Sequence, residues 1–148
     1  MSKPTLILMG SAGSGKGTQG VNLVQEFGYV HVETGGIIRA KAQEDSPLGR
    51  KVKENDDKGK HASDELMTEL LLDYLQKIPA DKPLLLDGYP RTVRQAELLD
   101  GVLRKIERDP ASAKAVWIQV PIETARKRLM NRAVCTVCKK VFPSRDVT

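Results

Sequence analysis

The stretch Gly10-Ser11-Ala12-Gly13-Ser14-Gly15-Lys16-Gly17-Thr18 has the spacing of a loop that holds phosphate: glycine, four residues, glycine, lysine. Such a loop works when its backbone N–H groups converge on anionic oxygens at the start of a helix, where the helix dipole also favours negative charge. Glycines at 10, 13, 15 and 17 would let the backbone take positive φ angles and approach the phosphates with no Cβ in the way. Lys16 would reach the β and γ phosphates and offset the charge that accumulates on a transferring group. The hydroxyl residue that usually follows the lysine is replaced by Gly17, so Thr18 is the nearest hydroxyl for magnesium or its water. A merely flexible glycine-rich turn is the competing reading. The apolar run before the loop and the helical pattern after it argue against that.

Other residues could do related chemistry. Asp87 ends the apolar run Leu84-Leu85-Leu86, and a carboxylate at a strand end can hold magnesium or a magnesium-bound water. The competing reading is an ordinary turn aspartate before Gly88. Arg91 follows Pro90, and a guanidinium on a stiff turn suits bidentate phosphate binding. Arg39, Arg128 and Arg132, taken singly, read as surface arginines. Arg128 and Arg132 are four apart, which on a continuous helix puts them on one face. Cys135 and Cys138 are the only cysteines and form a CxxC pair, the spacing of half a zinc site.

These residues need elements to position them. Thr5 to Met9 is a continuous apolar run that stops at glycine, as in a strand buried on both faces. Lys16 to Phe27 has helical spacing, and Tyr29 to Val32 reads as a second strand. Helical patterns follow at Thr34 to about Gln43 and Leu48 to Glu54, with a polar break over Asn55 to Lys60. Ser63 is a helix N-cap, with Asp64 and Glu65 in the first turn and leucines at 66, 70 and 71. Leu84 to Leu86 is a third strand, Thr92 to about Glu107 a helix, and Ala115 to Val120 a fourth strand. Pro121 opens a last helix running through Arg132. Strands alternating with helices predict an α/β fold with a parallel sheet covered on both faces.

The 148 residues suit one domain, and 40% hydrophobic with 29% charged residues is an ordinary globular composition. Lys plus Arg exceed Asp plus Glu by 24 to 19, so the net charge of +5 favours polyanionic ligands. Only 4% of residues are aromatic, which argues against single-stranded nucleic acid as partner. No apolar run approaches the roughly 18 residues of a membrane span. The short N-terminal run gives no signal peptide, and a lone CxxC suits a reducing cytoplasm.

The loop followed by Thr18-Gln19 resembles the start of an adenylate kinase. Thr34-Gly35 with Arg39 resembles that family's TGxxxR, Asp87-Gly88-Tyr89-Pro90-Arg91-Thr92 its DGFPRT, and Arg128 with Arg132 the arginine pair at the base of its lid. The resemblance covers essentially the whole chain. It implies a P-loop NTPase-type three-layer α/β/α fold, with a small helical acceptor-binding insertion at about 33–62 and a partial lid at about 131–148. It also implies magnesium-dependent phosphoryl transfer from ATP to AMP giving two ADP, by a cytoplasmic monomer without nucleic-acid or membrane partners. ATP would be held by Gly13, Ser14, Gly15, Lys16, Gly17, Thr18 and Arg128. AMP would be held by Thr34, Arg39, Lys60, His61, Ala62, Gly88, Tyr89, Pro90, Arg91 and Gln95, with Gln95 reading the base. Lys16, Asp87, Arg91, Arg128 and Arg132 would be catalytic, and Thr18 and Asp87 would meet magnesium.

The sequence departs from that pattern in several places. Gly36 stands where the family has the aspartate of TGD, which removes a carboxylate beside the acceptor pocket. His61 occupies an apolar position and reads as an exposed tolerance. Lys139 replaces a glycine after the cysteine pair. The sequence reaches Thr148 before the second half of a zinc site, the return of the lid, or the last strand and helix. Asp146 is the only nearby further ligand, so structural zinc and an unmetallated CxxC both stand as readings. The alternative function is a nucleotide-binding module with impaired catalysis, or a kinase for another monophosphate.

Overall fold

The computed structural model describes residues 4–57, 62–134 and 141–143. Elements run β1 (Thr5–Met9), α1 (Lys16–Phe27), β2 (Val30–Glu33), α2 (Thr34–Ala42), α3 (Pro47–Asp57), α4 (Asp64–Leu75), β3 (Leu84–Asp87), α5 (Val93–Lys105), β4 (Lys114–Trp117) and α6 (Ile122–Met130). A short pair, β5 (Arg132–Val134) and β6 (Val141–Pro143), follows and is antiparallel. The first four strands form one parallel sheet in the order β2-β3-β1-β4. The α/β expectation is borne out.

The apolar runs explain the order. Leu84, Leu85 and Leu86 are all fully buried, as an inner strand requires, and β3 sits between β2 and β1. Side chains alternate across the pleat. Leu84 and Leu86 join Ile7, Val32, Leu70, Leu99 and Leu103 in one core with α4 and α5. Leu85 is buried outside that core, and α1 packs against β1, β2 and β3. The register puts Leu8 of β1 opposite Asp87, and Glu33 of β2 opposite Asp87 as well. Three strand ends therefore meet at one carboxyl edge.

Most boundaries follow local chemistry. Ser63 Oγ accepts from Leu66 N–H at 3.2 Å, the expected cap of α4. Thr92 caps α5 in the same way, accepting from Gln95 N–H at 3.0 Å. Gly28 ends α1 in the left-handed region, and β2 starts one residue later than expected because Val30 N–H bonds Pro83 O. The polar break at Asn55 is corrected: α3 continues to Asp57.

Two further expectations are corrected. Strand four starts at Lys114 and stops at Trp117, short of Val120, and Trp117 is 74% exposed. β4 has β1 as its only strand partner among the described residues, so one ladder holds it, and all four of its residues are exposed. The last helix stops at Met130, where Asn131 N–H bonds Lys127 O, and Arg132 opens β5 by pairing with Pro143. Arg128 and Arg132 thus do not share a helix face, because strand pairing took over where helical spacing would have continued.

Candidate active site

The glycine-rich loop links the carboxyl end of β1 to α1. Gly15 occupies the N-cap of α1 in the left-handed region, with no side-chain cap and no acid in the first turn. The helix therefore presents its first N–H groups and its positive dipole end to the cleft with nothing anionic of its own to meet them. Gly13, at φ 81°, shows why glycine is needed: an added Cβ would sit 2.6 Å from Ala125 O of α6. The expectation for Gly17 is corrected. Its φ is not positive and nothing would meet a Cβ there, since it already belongs to the first helical turn.

Lys16 Nζ donates to Gly10 O at 2.7 Å and Ser11 O at 2.9 Å. Carbonyls of its own loop hold the ammonium where an anion would otherwise satisfy it. Because α6 packs on the loop, Arg128 reaches it too, donating to Gly13 O at 3.3 Å and Ser14 O at 3.4 Å. Ser14 Oγ is buried without a hydrogen-bond partner, a polar atom left unsatisfied inside the loop. Thr18 is exposed on the first turns of α1.

Across the cleft, the Asp87-Gly88 turn draws three elements together. Thr34 Oγ1 donates to Gly88 O at 3.2 Å, and Arg91 Nε donates to the same oxygen at 2.7 Å. Gly88 has φ 87°, and a Cβ on it would lie 2.7 Å from Thr34 Oγ1 and 2.9 Å from Arg91 Nη2. The resulting cavity, of about 760 Å³, is lined by Lys16 and the loop on one side and by Thr34, Gly35, Asp87, Gly88, Pro90 and Arg91 on the other. Asp87 lies at its floor as a hard oxygen donor suited to magnesium or its water.

Other expected residues lie elsewhere. Tyr89 is 1% exposed and belongs to the core, with its hydroxyl between Thr68 Oγ1 at 2.8 Å and Gln95 O at 3.1 Å. Burial pushes its phenol above the usual range. Gln95 is buried and both ends of its amide are engaged: Oε1 accepts from Arg91 N–H at 2.7 Å and Nε2 donates to Asp64 Oδ1 at 2.9 Å. Arg39 is exposed, 3.8 Å from Glu33. Ala62 packs against the core. Lys60, His61, Cys135, Cys138, Lys139 and Asp146 lie outside the described residues, as does the side chain of Arg132. Among the described residues no group of three or more His, Cys, Asp or Glu could hold a metal, so nothing there supports zinc.

Sequence reasoning missed two residues. His31 Nε2 lies 3.3 Å from Asp87 Oδ2, with its ring against Gly20 of α1. Glu33 lines the cleft beside Thr34. Neither carries a local signal, because a strand histidine and a strand-end glutamate are common, and only the β2–β3 register brings them to Asp87.

A parallel α/β sheet with a glycine-rich loop leading into a helix at the carboxyl edge of an inner strand defines a P-loop nucleotide-binding protein. The description of the adenylate kinase family matches residues 8–146, and the chain belongs to that family. It is 40% identical over 137 residues to an adenylate kinase of Caldicellulosiruptor bescii, covering 93% of this chain and 63% of that protein. It is 39% identical over 137 residues to an adenylate kinase of Bacillus subtilis, covering 93% and 62%, and 42% over 133 residues to one of Clostridium botulinum, covering 90% and 61%. The chain thus spans less than two thirds of the length of these relatives.

Proposed function

We propose that this chain transfers the terminal phosphate of ATP to AMP, giving two ADP, reversibly and with magnesium. The observation that carries this reading is the uncapped N-terminus of α1 with Lys16, facing Thr34 and Arg91 across one cleft. That arrangement offers two anion sites, for donor and acceptor.

Phosphoryl transfer asks little covalent chemistry of a protein, so alignment and charge cancellation suffice. Lys16 exchanges its two loop carbonyls for phosphate oxygens. Arg128, already against Gly13 and Ser14, turns its guanidinium to the same phosphates. Arg91 and Arg39 hold the acceptor phosphate, and Gln95 reads the base by giving up its bond to Asp64. Asp87 and the Thr18 hydroxyl would hold a magnesium ion directly or through its water, and the ion would supply positive charge to offset the phosphates. No general base is needed.

On this reading residues 1–148 act as one kinase domain, with about 33–62 as the acceptor-binding insertion and about 131–148 as a partial lid over the donor. The partners are ATP, AMP and ADP, and the protein works as a cytoplasmic monomer. Among the described residues no helix is long and apolar enough to cross a membrane. A coupled assay for ADP formation, run beside Lys16→Met, tests the proposal. Turnover in the parent chain that the substitution lowers at least about a hundredfold is expected. Nucleotide binding without turnover in the parent chain would refute catalysis.

A further inference from the structure

We propose that Glu33 is an internal counter-anion for Arg39, which the acceptor phosphate must displace, so that this carboxylate sets acceptor affinity. The inference rests on the acceptor assignment above. Glu33 is the last residue of β2 and the N-cap of α2, so its side chain leaves the sheet at the cleft edge. It makes no capping bond to its own helix. Its carboxylate instead lies across the bare backbone of Gly35 and Gly36. A Cβ on Gly35 would lie 3.3 Å from Glu33 Oε1 and 3.1 Å from Arg39 Nη1, and one on Gly36 would lie 3.9 Å from Glu33 Oε2 and 4.0 Å from Arg39 Nη2. The two glycines thus leave room for the side chains to meet, with Arg39 Nη2 3.8 Å from Glu33 Oε1. Gly36 supplies no carboxylate, and Glu33 brings one to the same helix start.

The pair is exposed, at 70% and 59%, and is therefore weak and easily exchanged. A phosphate monoester carries more charge than a carboxylate and offers a guanidinium better paired geometry, so it wins the exchange. Removing the competitor frees Arg39 in advance. Glu33→Gln keeps the side-chain length and should lower the dissociation constant for AMP about two- to fivefold, the range for an exposed ion pair.

The test is calorimetric titration of AMP and of adenosine into the whole chain, Glu33→Gln, Arg39→Met and the double variant at low ionic strength. Expected are tighter AMP binding by Glu33→Gln, unchanged adenosine binding, loss of the gain when Arg39 is absent, and its decline at high salt. In the coupled assay the KM for AMP should fall while kcat holds. AMP binding that Glu33→Gln leaves unchanged or weakens overturns this proposal alone, as does a gain that persists without Arg39. Failure of every variant to bind AMP overturns the acceptor assignment and this proposal with it.

Discussion

Two glycines four residues apart, Gly13 in the loop and Gly17 in the first turn of α1, should respond to alanine with opposite signs. Gly13 has φ 81°, and its added Cβ would meet Ala125 O at 2.6 Å, Ala125 C at 3.2 Å and Ala125 Cα at 3.2 Å. All three are backbone atoms of α6, so no side chain can rotate away. The left-handed conformation costs a non-glycine residue about 1–2 kcal/mol. Forcing a methyl group into packed backbone adds about 1–3 kcal/mol. Gly13→Ala should therefore destabilise by about 2–5 kcal/mol, or lower Tm by roughly 10 °C in a chain of this size. Because the overlap drives the loop from α6, it should also separate Arg128 from the carbonyls of Gly13 and Ser14 and weaken triphosphate binding.

Gly17 is the control: its φ is not positive, nothing lies within 4 Å of its Cβ position, and it sits in the first turn of α1. Alanine there should stabilise by about 0.5 kcal/mol through helix propensity. Urea unfolding of both variants, with ATP titration beside it, measures the contrast. Equal effects of the two substitutions, or a Gly13→Ala chain as stable as the parent, would refute the claimed contact between loop and α6.

Lys41 is buried between Asp73 and Glu44, at 2.7 Å from each, and ties α2 to α4. Hydrogen bonds from Lys41 and then Lys77 hold the Asp73 carboxyl below its ordinary value of 3.8. A depressed folded value means stability that is fully present above the unfolded value and lost as pH falls through the folded one. Acid unfolding below about pH 4 should therefore flatten in Asp73→Asn, measured by urea midpoints across pH. Tyr89→Phe removes a hydroxyl bonded to Thr68 and to Gln95 O, and should cost about 1–2 kcal/mol in urea unfolding without abolishing nucleotide binding.

The loop was legible in the sequence because its function lies in the backbone, and glycine spacing records backbone demands directly. The same holds for β1 and β3, whose short unbroken apolar runs suit inner strands, and for the Ser63 cap of α4. Residues whose role depends on what stands opposite them were not legible. Tyr89 sits in the Asp87–Thr92 motif and Gln95 beside it, yet they bond Thr68 and Asp64 of α4, 21 and 31 residues earlier. Arg128 and Arg132 had helical spacing, and the β5–β6 pairing cancelled it.

The sequence by itself determined the parallel α/β order, the glycine-rich loop between β1 and α1 and the kinds of charge gathered at the cleft. These rest on propensities and spacings within a few residues, which every copy of the chain carries in local form. Tertiary structure alone decided that Glu33, His31 and Asp87 share one edge and that Arg128 reaches the loop from α6. Those relations depend on strand register and on helix packing between segments up to 115 residues apart, and no local pattern encodes them.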